Sequence, residues 1–120
     1  MLTRQLRRSR FNFAQCKEFL AAGKNPQQRK LANNTYLLAI GNPTAPEHYA
    51  IKLHDTHIVE IYPDDSVKLF TGGWQTLTTK QRINSFSPIG IYQSAGVWYL
   101  SPDVEFFEGI HLSAAGDILR

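Results

Sequence analysis

The hydrophobic pattern changes period once along the chain. Phe13, Cys16 and Leu20 recur at i, i+3 and i+7 with Phe19 beside them, which is the spacing of one helix face. Asn12 stands at the N-cap position, and Gln15 three residues on completes a capping box. Gly23 is placed to stop the helix in the left-handed conformation. Residues 24–30 hold no large apolar side chain and read as a polar linker. From Thr35 onward the period falls to two. Residues 35–40 read as a strand. Residues 42–46, with Pro43 and Pro46, read as a loop that no strand crosses. In residues 49–53, Tyr49, Ile51 and Leu53 share one face, while Ala50, Lys52 and His54 share the other. Residues 57–62 and 67–71 flank the turn formers Pro63, Asp64, Asp65 and Ser66. That hairpin puts Val59, Ile61, Val67 and Leu69 on one buried face.

Gly72 and Gly73 then break the alternation. Thr78, with Gln81 three positions on, predicts a second capping box and a short helix through Phe86 that ends before Pro88. Residues 89–93 and 97–100 form a hairpin around Ser94, Ala95 and Gly96. Residues 104–107 and 110–112 are short strands separated by Gly109, a bulge position. Residues 114–120 read as a loose end. No crossover helices are available for a parallel sheet. The expected fold is therefore α+β: a strongly bent antiparallel meander or half-barrel, with an N-terminal helix and one short internal helix. Residues 1–30 form a basic arm and helix, and residues 31–120 form the antiparallel sheet body.

Charge adds an asymmetry that the hydrophobic pattern does not contain. Residues 1–30 carry eight basic side chains against the single acid Glu18, a balance of +7. Residues 31–120 carry five basic side chains against nine acids, a balance of −4. A basic arm preceding a mildly acidic body suggests a polyanion or an acidic protein surface as partner. The length, 120 residues, suits one domain with one core. One cysteine, Cys16, allows no internal disulfide, so an intracellular, cytoplasmic location is the default. No apolar run approaches the roughly 20 residues that span a bilayer, so no membrane partner is expected. The start has the basic region of a signal peptide without an apolar stretch, and its shortage of acids also fits a mitochondrial-type presequence.

The densest polar chemistry is Leu53-His54-Asp55-Thr56-His57. On an extended strand, His54 and His57 point to opposite faces, which argues against a shared metal. A strand-to-strand turn with Asp55 and Thr56 bonding the local backbone is the plainer reading, and His54 as a catalytic base is the alternative. The most distinctive stretch runs from Gly72-Gly73-Trp74 to Arg82-Ile83-Asn84. A Gly-Gly turn entering a helix is a place where backbone N–H groups hold anions. Lys80 and Arg82 in the first helical turns oppose the helix dipole unless an anion is bound. The competing reading is turn, cap and helix, with Trp74 packed in the core. The P-loop spacing is absent. Trp74, Trp98, Tyr92, Tyr99, Phe106 and Phe107 suit either a core or a stacking surface for single-stranded nucleic acid. Cys16 sits on the apolar helix face and is expected to be inert. No triad, carboxylate pair or dinucleotide fingerprint stands out, and no cofactor or metal is expected.

Three stretches together resemble a family of small uncharacterised phage and mobile-element-type proteins. They are Lys30-Leu31-Ala32-Asn33-Asn34-Thr35-Tyr36-Leu37, then Leu53-His54 with Thr56 and Ile58-Val59, then Gly72-Gly73-Trp74 to Asn84. The resemblance covers about residues 30–97. The resemblance implies glycine at the position of Asp65, so that this hairpin differs in type, and a basic arm before Lys30 that is an addition peculiar to this chain or a subset. It carries no activity. The leading expectation is a small non-enzymatic accessory protein of phage type that binds nucleic acid or a nucleic-acid machine. Arg4, Arg7, Arg8, Arg10, Lys24, Arg29, Lys30, Lys80 and Arg82 would supply the contacts. The alternatives are a protein-interaction module, inhibitor or assembly subunit, docking on an acidic partner, and an enzyme using His54 near Thr56 and Trp74.

Overall fold

The computed structural model describes residues 11–120. Helix α1 spans Phe13–Ala21. Its capping box forms in both directions: Asn12 Oδ1 accepts from the Gln15 N–H at 2.8 Å, and Gln15 Oε1 accepts from the Asn12 N–H at 3.0 Å. The Phe13 N–H donates to Asp65 Oδ1 at 2.8 Å, which ties the helix start to a distant turn. Asp65 itself has φ +68, the left-handed region where glycine would be relaxed. Gly23 does not act as a left-handed stop. The helix closes at Ala22 with φ −78, and Gly23 is needed for space instead. A Cβ there would lie 2.8 Å from Arg29 Cδ.

Arg29 belongs to strand β1, Gln28–Ala32, in a segment whose polar composition predicts a linker. The pairing partner decides this: β1 zips antiparallel onto β2, Thr35–Asn42, from Gln28↔Leu38 to Ala32↔Thr35. Strand β1 therefore straddles the boundary expected between residues 30 and 31. Strand β3, Ala45–Leu53, starts inside the segment expected to be a loop and includes Pro46. Pro46 pairs at a register shift opposite Gly41, and pairing with the next strand begins only at Tyr49. Its missing N–H thus falls where β3 has a free side, the position in a sheet that tolerates proline. Strands β4, Thr56–Ile61, and β5, Val67–Leu69, form the expected hairpin with pairs Val59↔Leu69 and Ile61↔Val67.

Helix α2 spans Leu77–Phe86, capped by Thr76 rather than Thr78. Thr76 Oγ1 accepts from the Thr79 N–H at 3.2 Å. Strands β6, Tyr92–Ser94, β7, Val97–Ser101, and β8, Val104–Glu105, form a small antiparallel sheet. Strand β9, Ile110–Leu112, returns to the large sheet and pairs with β5, giving the order β1-β2-β3-β4-β5-β9. The fold is α+β, as the pattern predicts, with antiparallel sheets that do not close into a barrel. It divides into two sheets where one continuous meander was expected. The terminal segment is not loose throughout: Ile118 bridges to Leu112.

One face of the large sheet carries the core. Leu37, Ala39, Tyr49, Ile51, Val59, Ile61, Val67, Leu69, Ile110 and Leu112 are all buried there. Helix α1 adds Cys16 and Leu20, α2 adds Ile83 and Phe86, and the small sheet adds Trp98, Leu100 and Phe106. Burial, then the charge of Asp65, pushes the Cys16 thiol up to about 12. Burial raises Tyr49, and burial with a hydrogen bond to Glu60 raises Tyr62. Each of these groups keeps its proton in the folded chain at pH values where the unfolded chain loses it. Their stabilisation is complete below the unfolded values and declines from about pH 9 upward. Urea unfolding should show a loss of about 1–2 kcal/mol between pH 8 and 10.5, with a smaller loss in Cys16→Ala. A stability that does not change over that range would mean the thiol ionises freely in the native state.

Candidate functional site

The stretches that carried the resemblance meet at one end of the large sheet. The β1–β2 turn places Asn34 in the left-handed region, φ +54, and its carbonyl accepts from the His54 N–H at 2.8 Å. His54, also at φ +54, and Asp55 form the tight turn between β3 and β4. Thr35 is fully buried, donates its hydroxyl to the Asn33 carbonyl at 2.8 Å and accepts from Arg82 Nε at 3.0 Å. Arg82, Ile83 and Asn84 therefore have structural roles. Ile83 is core, and Asn84 clasps the Ile91 backbone with bonds of 2.9 and 2.7 Å.

The Gly-Gly turn does hold an anion, and that anion is the protein's own Glu108. Glu108 Oε1 accepts from the Thr71 N–H at 2.7 Å and the Gly72 N–H at 3.0 Å, while Oε2 accepts from the Thr71 hydroxyl. The Gly73 N–H is taken by Thr71 Oγ1 at 3.1 Å. Gly72 is obligatory here. Its φ is +64, and a Cβ would lie 2.9 Å from Thr56 Cγ2. The backbone donors that this turn could offer to an anion are thus taken by an internal carboxylate. The signal was present in the sequence only as a lone acid 36 residues away from Gly72.

Between the His54-Asp55 turn and the start of α2 lies an open cleft of about 460 Å³. Leu53, Thr56, Ile58, Trp74, Thr76 and Thr79 line it with the turn residues. Trp74 is 65% exposed and Leu77 66% exposed, so the expectation of Trp74 as a core residue fails. Its loop is held by the glycines and Glu108 at the rim, away from the core. His54, Thr56 and Trp74 do come together, as the enzyme reading required. Among the described residues, no hydrogen bond joins the His54 imidazole to a carboxylate that would orient it as a base. No group of three metal-ligating side chains lies together among the described residues.

The expected contact residues divide into three sets. Arg4, Arg7, Arg8 and Arg10 lie outside the described residues. Lys24 and Lys30 are exposed. Arg29, Lys80 and Arg82 are half-buried and held by the protein itself. Arg29 donates to the Phe19 carbonyl at 2.8 Å and stacks 4.2 Å over the Phe19 ring. Lys80 Nζ lies 5.9 Å above the Trp98 ring and 3.5 Å from Gln93 Oε1. Of the aromatics considered for stacking, Trp98 and Phe106 are core, while Trp74, Tyr92 and Phe107 are exposed. No helix of the described residues is long and apolar enough to cross a membrane.

The described residues form an antiparallel α+β domain with an open, threonine-lined cleft. The family described as Kyanoviridae Gp96 protein matches residues 13–113, and the chain belongs to that family, a phage protein family. The match begins at Phe13 and not at Lys30, so α1 with Lys17, Lys24 and Arg29 lies inside the shared span. Comparison with curated proteins and with solved structures gives no significant match.

Proposed function

We propose that this is a non-enzymatic phage accessory protein that binds nucleic acid through its basic N-terminal segment. The observation that carries the reading is uncompensated charge. Residues 1–30 hold eight basic side chains and one acid, and the only ion pair among the described residues is His48–Glu60. A basic excess of this size on one short segment is the usual electrostatic footprint of phosphate binding. Arg4, Arg7, Arg8 and Arg10, with Lys24 and Lys30, are the proposed contacts. Arg29, Lys80 and Arg82 take no primary part, because each donates a hydrogen bond within the fold.

Fluorescence anisotropy on mixed-sequence oligonucleotides between low and physiological salt tests this. If about four to seven phosphates are neutralised, the log–log salt slope should lie near −3 to −6. Replacing Arg4, Arg7, Arg8 and Arg10 together with Ala should weaken binding uniformly across sequences, because backbone contacts position without reading bases. It should flatten the slope by up to about four. No binding at low salt would overturn the reading.

A second reading has its own observation: the exposed Trp74 and Leu77 beside the largely apolar cleft. A solvent-facing tryptophan on a pinned loop is the kind of anchor that protein interfaces use. A photo-crosslinker at position 74 should then capture one specific protein of the nucleic-acid machinery in infected cells. Labelling without a dominant product would remove this reading.

A further inference from the structure

The face of the large sheet turned away from the core is basic and aromatic. Cross-strand pairing fixes which side chains share it, because directly opposed residues point the same way. One row runs Lys30↔Tyr36↔Lys52↔His57 across β1 to β4. The next runs Leu38↔Ala50↔Glu60↔Lys68↔His111 across β2 to β9. Their neighbours along the strands, Leu37, Ile51, Val59 and Leu69, are the core residues, so these rows face the opposite way. Both helices lend their buried side chains to the core side. Tyr36, Lys52, His57, Lys68 and His111 are half-buried, and Ala50 between them is fully buried.

Acid is nearly absent from this face. The body as a whole is acidic, yet Glu60 is the one carboxylate at these paired positions. Glu60 accepts from the Tyr62 hydroxyl and lies 3.9 Å from His48 Nε2. Glu47 lies unpaired at the register shift in β3, and the body's other acids sit in turns, in loops or on the small sheet. Lys30 is exposed, Lys52 and Lys68 are half-buried, and Glu60 stands directly opposite Lys68. Lys68 Nζ sits 5.5 Å over the Tyr62 ring, and His48 lies 5.1 Å from that ring on its own account. The first row crosses three strand gaps, about 14 Å.

We infer that this face binds single-stranded nucleic acid, with Lys30, Lys52 and Lys68 on the phosphates and Tyr36 as the stacking platform. The inference rests on the nucleic-acid reading above and extends it from the N-terminal segment to the body. Flat aromatic rings between lysines on an open sheet suit unpaired bases, whose faces are exposed, better than a duplex, whose faces are stacked. Charge complementarity selects a polyanion. Tyr36, between Lys30 and Lys52, favours a single strand among polyanions. Lys30 joins the two surfaces, because it belongs both to the basic segment and to this row.

The test uses the full chain and fluorescein-labelled mixed-sequence 20-mers, single-stranded and duplex. Lys30→Gln, Lys52→Gln and Lys68→Gln combined should weaken single-strand binding by at least about tenfold and flatten the salt slope by about two. Tyr36→Ala should weaken single-strand binding by about five- to a hundredfold and leave duplex binding nearly unchanged, while Tyr36→Phe should bind as the parent does. Matched melting curves establish that each variant is folded. Parent-like binding in the triple variant, with loss in the variant lacking Arg4, Arg7, Arg8 and Arg10, would overturn the sheet face and leave the N-terminal reading intact. No nucleic-acid binding by the parent would overturn both. Equal loss of single-strand and duplex binding in Tyr36→Ala would remove the stacking role and with it the preference for single strands.

Discussion

Replacing Ile61 with Ala should destabilise the protein by about 2–5 kcal/mol, the largest effect expected of any single truncation discussed for this fold. Ile61 is fully buried, pairs across β4–β5 with Val67 and across β3–β4 with Tyr49, and sits in a core closed by both helices. Truncation would remove three carbons from a site bounded by strands on two sides, where collapse into the space is difficult. Lys68→Ala is the internal control. It lies one strand away on the opposite face, where its only specific contact is with the Tyr62 ring. Its cost should stay under about 1 kcal/mol. Denaturant unfolding measures both, and equal costs would show that the assigned faces are wrong.

Glu108→Ala should cost about 1–3 kcal/mol and loosen the loop that carries Trp74. One carboxylate satisfies the Thr71 N–H, the Thr71 hydroxyl and the Gly72 N–H, and Thr71 is almost fully buried. Removing it leaves the Thr71 and Gly72 donors without their acceptor, which costs more than the bonds return on average. Glu108→Gln should cost less. Both backbone N–H groups share Oε1, which an amide oxygen can replace, and the amide NH2 can donate to Thr71 Oγ1. Hydrogen exchange at Thr71 and Gly72 should accelerate in the alanine variant first. Unchanged protection there would mean that the two glycines alone hold the turn.

Much of the architecture is local and was therefore legible. The α1 capping box, the β4–β5 hairpin and the inward set Val59, Ile61, Val67 and Leu69 depend on spacings within a few residues. Periodicity of two and the lack of crossover segments force antiparallel pairing whatever the rest of the chain does. The burial of Cys16 follows from the same helical spacing that puts Leu20 beside it. The charge split is likewise a property of the sequence alone.

Tertiary pairing decided the remainder, because residues far apart supply what the local pattern lacks. Residues 28–32 are polar enough to read as linker, yet β2 offers them an open edge, and Arg29 finds Phe19 to stack on. Helix α2 begins at Leu77 because Thr76, not Thr78, meets the Thr79 N–H. Gly109 separates two strands that enter different sheets, a division invisible to alternation within either. Lys80 and Arg82 read as free cations in a one-dimensional list, and only the approach of Trp98 and Thr35 shows them to be occupied. Nothing in the sequence spacing relates Tyr36, Lys52 and Lys68 to one another or to Lys30. Strand register places them on one face, and register is set by hydrogen bonds between segments that the sequence holds apart.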